Sequence, residues 1–205
     1  MKKLIVLFVL SSMLSPAYCQ DETAFSEKKN EINIGYFNAF DLANNNELGI
    51  GYKRTMKNGA IRFGTEFNIN NSSNDHDGYK TVNNRLKLAP YLGYEFHKNY
   101  NRFQVFYGAN VFASYDYTQA KYIDANTDNK EITEYLNLAY GVRPGLGLKF
   151  YINSSISITT ETFLNIQYTE SNNKTEDADY ISNRKTTGFS TNLNPLGLLS
   201  INIHF

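Results

Sequence analysis

From Glu31 onward, apolar residues recur at every second position and polar or small residues fill the positions between. The clearest stretch sets Leu136, Leu138, Tyr140, Val142, Pro144, Leu146, Leu148 and Phe150 on one side. Opposite them stand Asn137, Ala139, Gly141, Arg143, Gly145, Gly147 and Lys149. The same split separates Leu86, Leu88, Leu92, Tyr94 and Phe96 from Arg85, Lys87, Gly93 and Glu95. Period two is the repeat of a strand with two unlike faces, and no helical stretch competes with it. The pattern predicts an all-β chain with strands over 31–40, 47–56, 60–70, 83–96, 102–118, 134–150, 155–169 and 187–205.

The connections predicted between these strands alternate in length. Residues 57–59, 97–101 and 151–154 are short, whereas 71–82, 119–133 and 170–186 are long and polar; 41–46 breaks the rule by being brief. Short turns on one rim and long loops on the other is the layout of an up-and-down outer-membrane barrel, with the short turns periplasmic. Asn58-Gly59 predicts a two-residue hairpin turn, which sets Tyr52 beside Thr65, Ile50 beside Phe67 and Lys53 beside Gly64. Strands five to eight exceed the roughly 9–11 residues of a membrane crossing, so that side is expected to project as a sheet whose edges can pair with a partner.

Alternation alone fits a soluble barrel with an oily interior as well as a membrane barrel with an oily exterior. Glycine favours the second: Gly35, Gly49, Gly51, Gly64, Gly93, Gly108, Gly141, Gly145 and Gly147 lie on the polar face, where a crowded concave lumen has use for them. Aromatics on the oily face gather toward strand ends, with Tyr94, Phe96, Phe103, Phe150 and Phe205 near the short turns. Phe40, Tyr115, Tyr117, Tyr168 and Phe189 lie near the loops. Two such belts suit the two lipid–water interfaces.

At 205 residues, with Lys+Arg equal to Asp+Glu, the chain reads as one neutral domain without the basic footprint of a nucleic-acid binder. Lys2 and Lys3, the apolar run from Leu4 to Leu10 and the small positions before Gln20 predict a cleaved export signal over 1–19. A polar leader over 20–30 and the barrel over 31–205 follow. Cys19 is either removed with the signal or, in a disfavoured alternative, lipidated; after cleavage no thiol or disulfide chemistry is left.

The last strand alternates Leu199, Ile201, Ile203 and Phe205 up to a final Phe. Together with the export signal and the loop asymmetry, this resembles the small barrels of the OmpA, OmpX and OmpW type, especially barrel-domain proteins of Bacteroidetes. The resemblance implies an eight-stranded closed antiparallel barrel in the bacterial outer membrane. It also implies that Leu199, Ile201, Ile203 and Phe205 are a signal to the outer-membrane assembly machinery, and that membrane lipid and lipopolysaccharide surround the wall. It carries no catalytic motif and no cofactor. The absence of Trp and the short first connection depart from the type.

Inward charges in so narrow a lumen should pair with one another. The candidates are Lys53, Arg62, Glu66, Arg85, Lys87, Glu95, Arg143, Lys149 and Glu161, with Arg143 diagonal to Glu161 across a hairpin. Phe37, Tyr91, Phe106, Phe112 and Phe163 share that face and predict a plugged lumen, so a register-fixing polar core is favoured over a solute path. Asp124, Asn126 and Asp128 begin like a calcium loop, but Asn129 replaces its glycine and Tyr135 its closing acid. Asp75-His76-Asp77 could ligate a metal or, with Asp177 and Asp179, resembles the acidic dyads of outer-membrane proteases; a solvated polar loop explains it more simply. The expectation is a non-enzymatic barrel displaying its loops for surface interaction or envelope integrity, toward an extracellular partner that the residues do not name. The alternatives are a narrow channel, an outer-membrane enzyme and a soluble lipid-binding barrel.

Overall fold

A computed structural model describes residues 28–37, 47–57, 59–76, 79–124, 130–177 and 180–205. Eight antiparallel strands follow one another around a closed ring: β1 (Asn30–Phe37), β2 (Glu47–Thr55), β3 (Gly59–His76), β4 (Tyr79–Tyr100), β5 (Phe103–Asp124), β6 (Lys130–Tyr151), β7 (Ile156–Asp177) and β8 (Tyr180–His204). β1 closes the ring by pairing Ile32 with Ile203 and Ile34 with Ile201. The fold is the expected up-and-down barrel, and closure leaves the lower wall without an open edge.

The faces are inverted relative to a soluble protein. Ile34, Leu92, Val111, Leu146 and Ile201 point outward and stay exposed, while Lys53, Arg62, Glu95, Arg143 and Glu161 are buried inside. On β6 the outward apolar side chains run from Leu138 to Leu148, a rise of roughly 25 Å along the axis for a strand tilted about 40°. Tyr94, Phe96 and Tyr107 cluster on the outer wall toward the short turns, as do Phe103 and Phe150; Tyr140 and Tyr168 meet farther up. Phe40, expected in the upper belt, lies outside the described residues.

Glycine makes room for rings inside. A Cβ on Gly49 would run into the Phe37 ring, and one on Gly147 into the Phe106 ring. Backbone thus serves as a socket, and the lumen packs shut without widening the barrel.

Three expectations about connections need correction. The segments 71–82, 119–133 and 170–186 are mostly strand: β3 and β4 stay paired from Asn68↔Lys87 to His76↔Tyr79, and β7 and β8 from Ser171↔Thr186 to Asp177↔Tyr180. Above the apolar band both faces of a strand meet water, so alternation disappears while backbone pairing continues to satisfy N–H and C=O groups. Polar composition was the wrong guide there. The β2–β3 hairpin is also offset by two residues from the expected one, pairing Tyr52 with Phe63, Ile50 with Thr65 and Lys53 with Arg62. Gly59 has joined β3, and the Met56 N–H bonds to its carbonyl at 2.7 Å. A slip of two keeps every side chain on its face, so the facing assignments survive the error. Finally, the turn after Tyr100 is tighter than 97–101: Asn101 takes φ of 50°, in the left-handed region that Asn tolerates, and β5 starts at Phe103.

Candidate functional site

Inward parity brings side chains from all eight strands into one polar stack along the axis, with charges from β1 to β7. Nearest the short-turn mouth, Glu31 accepts from Lys149, and Lys53 lies 4.0 Å from its other oxygen. Beside it the Asn202 amide donates to Ser157 Oγ at 2.9 Å and Thr159 Oγ1 at 2.8 Å, and Ser157 Oγ lies 2.8 Å from His204 Nε2.

The next layer is centred on Arg62. Its Nη1 and Nη2 donate to the two oxygens of Glu161 at 2.9 and 2.7 Å, and Nη1 also reaches Glu95 at 3.2 Å. Its Nε donates to Asn110 Oδ1 at 2.7 Å. Glu95 is completed by Lys53, at 2.9 Å. Burying so many ions is costly unless each finds a partner of opposite sign and further hydrogen bonds, which this layer supplies.

Above it, Arg143 pairs with Glu66 across the lumen and donates through Nε to Asn165 Oδ1 at 2.7 Å. Its guanidinium lies 4.5 Å from the Phe163 ring centre, 4.7 Å from Phe112 and 5.7 Å from Phe37. A flat cation among ring faces is held by cation–π attraction as well as by its carboxylate. The uppermost pairs, Lys87 with Glu47 and Arg85 with Asp116 at 2.7 Å, are partly open to solvent.

Lys53, Arg62, Glu66, Glu95, Arg143, Lys149 and Glu161 are buried on the lumen face, and Arg85 and Lys87, half-buried, are present there as well. The expected pairing of Arg143 with Glu161 is not. The connection lies one residue later than expected, at 152–155, with Asn153 Oδ1 accepting from the Ser155 and Ile156 N–H groups, and Gly147 rather than Gly145 then faces Glu161. Phe163 consequently lies beside Arg143, and the two charges turn to β3 for partners: Glu66 for Arg143, Arg62 for Glu161. Missing from the expected set were Glu31, Glu47 and Asp116. Each shares parity with residues already assigned inward, Gly35, Gly49 and Phe112, so counting by twos would have found them.

Free space in the lumen is divided. An upper vestibule of about 580 Å³ is lined by Lys87, Ser114, Asn137 and Gln167 above a floor that includes Arg143 and Phe163. Beneath that floor the space shrinks to about 10 Å³ between Arg62, Tyr91, Asn110 and Glu161, room for about one water molecule at most. Among the described residues no group of His, Cys, Asp and Glu is placed to hold a metal ion. The calcium-like segment falls mostly at 125–129, and Asp77 and Asp179 of the acidic cluster also lie outside the described residues.

Leu199, Ile201, Ile203 and Phe205 all project outward as part of the apolar wall. No family profile and no curated protein matches this sequence. Among solved structures, the chain is similar to the attachment invasion locus protein Ail of Yersinia pestis, at 16% identity over 87% of this chain and 99% of that one, with a TM-score of 0.43. It is similar as well to a major outer membrane protein of Thermus thermophilus (12% identity, 87% and 98% covered, TM-score 0.40). A third is CarO of Acinetobacter baumannii (11% identity, 86% and 97% covered, TM-score 0.41).

Proposed function

We propose that this chain is a non-enzymatic barrel of the bacterial outer membrane, closed to solutes, whose upper strands present a sheet at the cell surface. The carrying observation is the reversal of faces: a continuous apolar band outside a ring whose charges are paired within. Such a wall is stable in lipid and aggregates in water. The constriction around Arg62 supports the closed lumen over the channel reading. Leu199, Ile201, Ile203 and Phe205 fit the role of assembly signal.

Above the band, β3 to β8 run on past the level of Phe37 on β1 and Glu47 on β2. Among the described residues, Ile69–His76 of β3 pair with β4 alone and Tyr180–Leu193 of β8 with β7 alone, so these residues give the projecting sheet two edges. Tyr117 and Gln119 each donate to Glu134 Oε1 at 2.9 Å, stiffening the β5–β6 arm. These bonds, from Gln119 first and then Tyr117, hold the Glu134 carboxyl below the usual carboxylate range. An unpaired strand edge recognises extended backbone, so an envelope or host polypeptide is the kind of partner it fits.

Electrophoresis of envelope-extracted protein with and without boiling tests the membrane assignment. A closed barrel stays folded in cold SDS and shifts on heating; recovery in the soluble fraction with no shift would refute it. Planar-bilayer recordings of the refolded protein should show no ion conductance.

A further inference from the structure

The outer wall carries an apolar groove that ends beside a cluster of cations, and we infer that the two together bind one anionic phospholipid from the leaflet at the short turns. This inference rests on the membrane reading above. The groove holds about 610 Å³ and is lined by Ile32, Ile50, Tyr52, Phe63, Thr65 and Pro90. That volume lies inside the roughly 300–1,000 Å³ of ordinary ligand sites. It arises where the wall thins: Thr65 and Pro90 are small cross-strand partners between bulky neighbours, and the β4–β5 ladder skips Ala89 and Pro90. Pro90 has no N–H to offer that ladder.

One step down the same face comes Arg54, exposed, two residues beyond Tyr52 and paired with Asn30 and Ile61. The Tyr52 hydroxyl donates to Asn30 Oδ1 at 2.7 Å, marking the depth at which the wall turns from oily to wet. Lys29 and Lys57 are exposed and share with Arg54 the recess at the rim of the lumen mouth, which Gln104, Tyr151 and His204 line from inside. Among the described residues no acidic side chain lines that recess, whereas the lumen cations Lys53, Arg62, Arg143 and Lys149 above it each have a carboxylate partner. The neutral composition therefore conceals a local excess of positive charge. An acyl chain satisfies the groove, and a headgroup phosphate satisfies the cations at the depth where headgroups lie. Lipids without net charge match only the first half.

The test uses refolded mature protein in mild detergent with equimolar phosphatidylglycerol and phosphatidylcholine, the retained lipid being counted by native mass spectrometry. One phosphatidylglycerol per barrel is expected, in several-fold preference over phosphatidylcholine. Arg54→Gln with Lys57→Gln should lower that preference at least fivefold, since each basic residue at a headgroup contributes roughly a factor of five. Thr65→Phe, which fills the groove, should release both lipids. Equal retention of the two lipids by the unaltered chain, or unchanged retention by Thr65→Phe, overturns the inference. So does displacement of the lipid by excess inorganic phosphate, which would reduce the site to a surface that binds phosphate alone. The heat shift in SDS is recorded on the same samples: if it is lost, the membrane reading fails, and if it persists without lipid preference, only this inference does.

Discussion

Replacing Arg62 by Met removes the cation that engages both oxygens of Glu161 and one oxygen of Glu95, while keeping most of the volume of the side chain. Glu95 retains Lys53. Glu161, with 4% of its side chain exposed, loses the guanidinium, and Asn110 Oδ1 loses a donor. Breaking one side of a buried ion pair costs about 3–5 kcal/mol, mostly because the remaining charge is stranded. An orphaned amide oxygen adds about 1 kcal/mol. Removing the second charge as well, in Arg62→Met with Glu161→Leu, leaves nothing stranded from that pair. The double variant should recover about 2 kcal/mol or more relative to the sum of the single losses. The chain has no Trp, so the folded fraction in phospholipid vesicles is best followed across a urea series by mobility in cold SDS. A loss below about 1 kcal/mol for Arg62→Met, or strict additivity in the double variant, would show that Arg62 is solvated and that the lumen is not packed around it.

Three further outcomes follow from the same packing. Gly147→Val should destabilise the barrel by about 1–3 kcal/mol through overpacking against Phe106, and Phe106→Leu should restore most of that loss in the same urea series. Arg143→Ala should leave planar bilayers without conductance, because the Arg62 layer beneath it stays intact; channels of steady conductance in that variant would revive the solute-path reading. Followed by carboxyl NMR, Glu134 should titrate below the ordinary carboxylate range, and Gln119→Leu should raise its midpoint, since the Gln119 hydrogen bond favours the charged form. The sign is that of a lowered carboxylate: its contribution to the stability of the arm is present above the unfolded midpoint and fades as pH falls through the folded one.

Within the apolar band the sequence was highly legible, because the apolar exterior and the crowded lumen impose opposite demands on alternate residues. Lys53, Arg62 and Arg143 were placed correctly by parity alone. Partners were harder. Parity says which side of the wall a residue faces but not how high it sits, and a two-residue error at Asn58-Gly59 or after Tyr151 moves each charge by one layer. Arg143 was matched to Glu161 for that reason, whereas the ring places Glu66 across from it. Above the band the signal failed for another cause. Where water lies on both sides, Asn71 to Asp75 and Ser171 to Glu176 need no apolar face, and nothing in them announces a strand.

The length of those upper strands is the feature that a membrane anchor does not require. β8 spans 25 residues, against the roughly 9–11 that cross a bilayer, and β3 to β8 all run past the level of Phe37 on β1 and Glu47 on β2. A plugged barrel gains nothing for its own stability by carrying into solvent the two edges seen among the described residues, and edges of this kind invite unwanted pairing unless they are blunted. The β8 edge is blunted by Pro195 low down and by Arg184 and Lys185 near the tip, the β3 edge by Asp75. What lies between, Thr186 to Leu193 on β8, has neither proline nor charge and exposes Phe189 and Leu193. If that stretch is where a partner strand adds, Thr191→Pro should abolish capture of the partner while the heat shift in SDS is kept, because β8 there pairs only with β7 among the described residues. Capture that survives the proline would move the contact to the β3 edge or to the hairpin tips.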